Sequence, residues 1–119
     1  MKKIFYYKKK NGSKPVKEFI DSLDEKFSMK IFWVFKLVKE SEDKTIIPKE
    51  YFKKLTSDIW EIRAKVGTNA FRLLCFFDGQ KIIITTNGFK KKTKKTPKQE
   101  IKLAEQRRVE YYERKRNHG

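Results

Sequence analysis

Cysteine and histidine occur once each in the 119 residues, proline three times and glycine five. The lone Cys75 excludes an intramolecular disulfide and any cysteine-based zinc site. His118, next to last, cannot anchor a buried catalytic dyad. No Gly-rich loop is present to cradle phosphates. No apolar run approaches the roughly 18 residues that span a bilayer. The N-terminus carries lysines but lacks the apolar stretch of a secretory signal, so a cytoplasmic location without membrane association is expected. Acidic residues are also short, 15 against 31 Lys/Arg, for a formal net charge of +16. Self-repulsion on that scale costs stability and points to a polyanionic partner. With 38% hydrophobic and 14% aromatic residues the chain still has enough apolar surface to fold, and its length suits a single domain over residues 1–119. No metal or cofactor is expected.

The positive charge is uneven. Residues 81–119 hold 13 Lys/Arg and 4 Asp/Glu, and within them GFKKKTKKTPK (88–98) has six lysines and no acid. Taken alone, that run is equally a solvated loop or a flexible segment that attracts nucleic acid without specificity. A membrane-surface role fits less well, because the run is not amphipathic and Pro97 interrupts it.

Ile4 to Tyr7 is a short β-prone run ending at the Asn11-Gly12 turn. Ser13 is placed to cap a helix with Pro15 in its first turn, and Val16, Phe19, Ile20, Leu23 and Phe27 follow at helical spacing. Ser28 to Glu40 reads as a second helix, apolar nearly all round, and so largely buried or shared with a partner. Ser41 to Pro48 reads as a connection. Ile59 to Lys65 alternates as a strand, Trp60, Ile62 and Ala64 on one face, Glu61, Arg63 and Lys65 on the other. After a turn at 67–69, Ala70 to Phe77 sets Phe71, Leu73, Cys75 and Phe77 opposite Arg72. Asp78-Gly79 signals a hairpin leading into Lys81–Asn87. Thr96-Pro97 opens a last helix with Ile101, Ala104, Tyr111 and Tyr112 on its apolar stripe and Arg107, Arg108 and Glu110 in water. This order predicts an α+β sandwich of two layers, the helices on one face of an antiparallel sheet.

If helices cover the Trp60/Ile62/Phe71/Leu73 face, the opposite face exposes Glu61, Arg63, Lys65 and Arg72 together across one hairpin, with the lysine loop arriving beside them. Arginines on rigid strands suit a phosphate, since each guanidinium forks onto two oxygens. A charged, solvated sheet face accounts for the same pattern. Lys53 and Lys54 either extend this patch or are simply solvated. Tyr51, Phe76 and Phe89 are aromatic candidates for base stacking or for packing. Cys75, in an apolar strand, reads as a core residue.

The segment from Trp60 to Thr96, WEIRAKVGTNAFRLLCFFDGQKIIITTNGFKKKTKKT, resembles the phage Gp49-like branch of the HigB toxins within the RelE/ParE superfamily. The likeness rests on the WE-R strand, the FR strand, the GF-KKT-KTP loop and the glutamate-bearing helix after it, about half of the chain. It implies a RelE-like α+β fold: a twisted antiparallel sheet with an N-terminal helical hairpin on one face and a C-terminal helix. It also implies a toxin that cleaves mRNA on the translating ribosome. A cognate HigA-like helix-turn-helix antitoxin would hold it inactive in a toxin–antitoxin heterotetramer. Arg63 and Arg72 fall where the family places basic active-site residues, and Lys90 and Lys91 fall in the loop that often supplies another. Several toxins of the superfamily use histidine or a C-terminal tyrosine; here no histidine lies near the motifs.

The expected catalytic set is Arg63, Arg72, Lys91 and Glu61. The arginines would neutralise charge gained by the phosphate, and Glu61 would serve as a base or orient Arg63. Lys65 or Lys91, with a pKa lowered by like charges, could move a proton. Lys65, Lys90, Lys92, Lys94 and Lys54 are the expected RNA-binding residues. Two other readings remain open at this level: a basic domain that coats RNA or DNA without cutting, and a ParE-like gyrase inhibitor.

Overall fold

Strand alternation and helical periodicity resolve, in a computed structural model describing residues 1–118, into five strands and three helices. They are β1 (Lys3–Tyr6), α1 (Pro15–Asp21), α2 (Glu25–Glu40), β2 (Phe52–Lys54), β3 (Trp60–Val66), β4 (Asn69–Asp78), β5 (Ile82–Lys90) and α3 (Lys98–His118), with a 3-10 turn at Lys44–Ile46. The fold is α+β, as expected, and the strands form one sheet in the order β1-β5-β4-β3-β2. β2 to β5 form an antiparallel meander, whereas β1 pairs parallel to β5. The sheet is therefore mixed. The chain leaves β1, crosses one face through α1 and α2, and re-enters at the far edge. The four strands of the meander then bring β5 back beside β1 in the same direction.

The helical hairpin breaks earlier than the apolar spacing suggests. α1 ends at Asp21, where the Ser22 hydroxyl donates to the Phe19 carbonyl at 2.6 Å, and α2 already begins at Glu25. Ser13 does not cap α1. Its backbone N–H is held by the Asn11 side chain at 2.9 Å in the preceding turn, Lys14 takes the N-cap position, and Pro15 opens the helix. β2 lies where the sequence shows no apolar run. One residue secures it: Phe52 is buried and stacks on Trp60 with ring centroids 4.7 Å apart.

The sheet is covered on both faces, not one. α1 and α2 contribute Val16, Ile20, Ile31, Val34, Phe35 and Val38 to a core with Ile62, Ala64, Phe71, Leu73, Cys75 and Ile83. α3 packs on the other face, where Ala104, Ile101, Tyr111 and Tyr112 meet Leu74, Phe76 and Ile84. The reason is visible in β4: Leu73 to Phe77 is apolar without interruption, which is what a strand buried on both sides needs. Arg107 and Glu110 are consequently half-buried. Arg107 Nη1 donates to the Thr86 carbonyl at 2.8 Å, and Glu110 accepts from the Tyr7 hydroxyl at 2.8 Å. α1 approaches β5 so closely that a Cβ at Gly88 would lie 2.6 Å from the Phe19 ring.

α3 spans only part of its face. It leaves uncovered the end of the sheet where β3 turns into β4, and the functional groups gather there.

Candidate functional site

The β3–β4 hairpin closes through a two-residue turn, with Gly67 at φ +61° and Val66 paired to Asn69. This register makes Arg63 and Arg72 direct cross-strand partners. Like charges placed so repel. The sequence supplies the remedy two residues earlier on the same face of β3, because Oε1 of Glu61 lies 3.4 Å from Nε of both Arg63 and Arg72. The second oxygen, Oε2, accepts a hydrogen bond from the Thr96 hydroxyl. Arg63 Nη1 donates to the Lys49 carbonyl at 3.0 Å and Arg72 Nη1 to the Phe71 carbonyl at 3.3 Å. Arg63 Nε is buried and makes no hydrogen bond.

Alternation alone places these charges on an open face; in the structure Glu61 is 2% and Arg72 5% exposed. The lysine loop and the start of α3 cause the difference, because Thr96, Lys95 and Ile101 close over Glu61. The loop is fastened at three points. The Lys91 backbone N–H donates to the Ala70 carbonyl at 2.7 Å, Thr96 bonds Glu61, and Asn87 Nδ2 donates to Glu100 Oε1 at 2.9 Å. A bulge in β5 opposite Leu74/Cys75 sets Asn87 on the α3 side for this last contact.

Beside the arginine pair opens a cleft of about 740 Å³, lined by Arg63, Arg72, Lys65, Lys91, Lys92 and Lys94 and, toward α2, by Lys30, Glu50 and Tyr51. Two arginines and one carboxylate leave an excess positive charge in a partly desolvated place. Burial pulls the Arg72 pKa down, Arg63 adds to the shift, and Glu61 opposes it. Desolvation also lowers the Lys91 ammonium, with further contributions from Arg72 and Arg63. Each shift records first the loss of solvent around a cation and then the neighbouring positive charge, which Glu61 offsets only in part. The arrangement can offer a phosphate the Nη2 groups of both arginines, which neither Glu61 nor a carbonyl engages, with the Lys91 ammonium beside them.

Two of the expected basic residues lie elsewhere. Lys90 pairs with Phe71 in register, which puts it on the α1/α2 side of the sheet, and it does not line the cleft. Lys54 pairs with Trp60 and shares that side. Its neighbour Lys53, paired with Glu61, lines the smaller recess over the carboxylate. A period of two, not proximity in sequence, decides between adjacent lysines. Thr96 and Lys30 line the site without any signal in the motif pattern, whereas Lys53 and Tyr51, which the sequence leaves open between site and solvent or packing, line the recess and the cleft. Thr96 reads locally as the residue before a helix-opening proline, and nothing nearby indicates a bond to Glu61, 35 residues away.

Phe76 is buried against Tyr111 and Tyr112 with centroids 5.3 and 5.8 Å away, so it packs and is closed to a base. Cys75 is fully buried and burial pushes its thiol pKa up, as befits a core residue. The His118 side chain lies outside the described residues. Among those described, no three His, Cys, Asp or Glu side chains group so as to hold a metal ion. No helix among them is long and apolar enough to cross a membrane.

Residues 18–109 match the model of a family described as phage-derived protein Gp49-like (DUF891). The matched stretch holds both arginines, Glu61 and the whole lysine loop. No curated protein matches the chain.

Proposed function

The chain belongs to the Gp49-like family, toxin-like phage-derived proteins of the RelE/HigB-like toxin–antitoxin group, and from that premise we propose that it is a ribosome-dependent mRNA endoribonuclease. The observation that carries this reading is the Arg63–Arg72 cross-strand pair, anchored on Glu61 and opening into a lysine-lined cleft. A protein that merely coats nucleic acid needs diffuse charge. A buried carboxylate holding two guanidinium groups in one place suits a single phosphate.

In the reaction the 2′-hydroxyl attacks the neighbouring phosphorus, its proton passing to solvent, while the P–O5′ bond breaks. The products are a 2′,3′-cyclic phosphate and a 5′-hydroxyl. Arg63 and Arg72 neutralise the charge that builds on the phosphoryl oxygens, the largest electrostatic demand of the step. Lys91, made more acidic by its surroundings, protonates the departing 5′-oxygen. Glu61, beneath the arginines and engaged by Thr96, is a positioning residue: it fixes the two guanidinium planes and does not touch the RNA. Lys65, Lys92 and Lys94 steer the strand, and the ribosome supplies much of the positioning. The step needs no metal, since Glu61, engaged by two arginines, and Glu50 fall short of the oxygen ligands a two-metal nuclease uses. A HigA-like helix-turn-helix antitoxin neutralises the toxin in a cytoplasmic heterotetramer.

Primer extension on total RNA after brief induction tests the activity. Cuts inside translated frames, with arrest of growth, are expected. Normal growth despite soluble, folded protein would sink the toxin reading, and cuts spread equally over untranslated RNA would remove the ribosome from it.

A further inference from the structure

The outer face of α2 is unusually apolar for a chain this charged: Met29, Phe32 and Trp33 are 63%, 47% and 48% exposed. Of the three, only Trp33 is tied to the cleft. Its ring meets that of Tyr51 edge-on, centroids 5.4 Å apart, and Tyr51 lines the cleft. The Lys30 ammonium, also lining the cleft, stands 4.2 Å from the Trp33 centroid and 5.9 Å from that of Tyr51. Tyr51 is bound directly to the site, its carbonyl accepting from the Arg63 backbone N–H at 2.8 Å. The one carboxylate among the lining groups, Glu50, is the neighbour of Tyr51. The cleft thus has two chemically different ends. The Arg63/Arg72/Lys91 end is a cationic trap for phosphate. At the α2 end two rings stand beside one lysine, a surface that suits the flat part of a nucleotide with its phosphate on the ammonium.

We propose that Trp33 and Tyr51 form a nucleobase subsite, on which a base of single-stranded RNA stacks when the adjoining phosphate sits on Arg63 and Arg72. The inference rests on the endoribonuclease reading for that phosphate. Every base offers a π-face, so the subsite anchors the strand without reading its sequence, while Lys30 meets the next phosphate. Exposed tryptophan on a basic surface then has a partner, and the strand acquires a direction across the cleft.

The test uses the full chain and a short 2′-O-methyl RNA oligonucleotide, which binds without being cut, at fixed salt and without ribosomes. Trp33→Ala is expected to weaken binding about five- to a hundredfold, the range for removing one base–aromatic stack, and Trp33→Phe to restore most of it. Tyr51→Leu, which keeps apolar volume, should behave like Trp33→Ala. Met29→Ala, on the same helix face but away from the cleft, should bind as the parent does. An oligonucleotide with abasic positions should bind the parent as weakly as the intact one binds Trp33→Ala, and the two effects should not add. Intact binding to Trp33→Ala and Tyr51→Leu, alongside loss in Arg72→Ala, would overturn the subsite and leave the nuclease reading standing. No binding, or binding indifferent to Arg72→Ala, would overturn both. If Trp33→Ala and Met29→Ala instead released the product of the adjacent reading frame and left RNA binding unchanged, the face would belong to a protein helix and the subsite would be wrong.

Discussion

Arg63 and Arg72 face each other across adjacent strands, and the same oxygen of Glu61 lies 3.4 Å from Nε of each. One buried carboxylate thus holds two cations that would otherwise repel, and the residual positive charge faces the cleft.

Replacing either arginine should remove activity, at modest cost to the fold for Arg63, which keeps some access to solvent, and at a larger cost for Arg72, which is buried on Glu61. Arg72→Ala and Arg63→Ala are expected to lower cleavage a hundredfold or more, on the scale of about 2.7–4 kcal/mol for removal of one oxyanion donor. Arg72→Lys should rescue little, because an ammonium keeps the charge and loses the fork. Cleavage rates and growth at matched expression measure this. Full toxicity of Arg72→Ala would show that the site is elsewhere.

Glu61 should matter to the unliganded protein more than to the chemistry. Glu61→Gln leaves two facing guanidinium groups without a counter-charge, and breaking a buried ion pair costs about 3–5 kcal/mol. Because Arg63 keeps some access to solvent, the lower end is expected. Sulfate or phosphate should restore part of the stability by taking the carboxylate's place. Thermal melts with and without sulfate measure both effects; an unchanged melting temperature would contradict the positioning role.

Neighbouring lysines should differ sharply. Lys91→Gln is expected to slow cleavage, weaken RNA binding and flatten its salt dependence by about 0.7 in log–log slope for each phosphate that is no longer neutralised. Lys90→Gln, on the other side of the sheet, should do little. With Lys91 as proton donor, cleavage should fall on the alkaline side below the usual lysine value of about 10.4, because its pKa is lowered. A pH–rate profile of a ribosome-free fragment reaction, in the parent and in Lys91→Arg, reads the limb. Equal behaviour of the two glutamine variants would refute the assignment.

Acid should loosen α3 first. Asp78 accepts from Lys115 and from the Tyr111 hydroxyl, each at 2.7 Å, and these bonds hold its pKa below the ordinary carboxylate range. Glu110 is lowered likewise, chiefly by Arg114 and then by Tyr7 against the opposing effect of burial. Both carboxylates bind protons more weakly folded than unfolded. Their contribution is therefore complete above the unfolded value of about 4 and disappears as the pH drops through the lowered folded values. Hydrogen exchange in α3 should rise in that window ahead of exchange in β4, and Asp78→Asn should blunt the pH dependence. Simultaneous loss of protection across the sheet would contradict a local event.

Local pattern made much of this molecule legible. The alternation in Trp60–Lys65 and Ala70–Phe77 placed Arg63 and Arg72 on one side, because side chains in a strand point to opposite faces whatever surrounds it. The turn residues at Gly67 and Gly79 located the hairpins, since positive φ is nearly free only for glycine. What lay beyond local pattern involved distant partners. Phe52 makes a strand only because Trp60 stacks on it. Glu61 turns from an exposed acid into a buried anchor only because Thr96, 35 residues later, arrives with α3 to close over it. The choices of Lys53 over Lys54 and of Lys91 over Lys90 as the site-facing lysines depend on pairing register. Sequence periodicity determined which side chains share a face. Tertiary packing decided which of those faces water reaches, because covering a sheet depends on where a remote helix ends, and no residue of the strand encodes that.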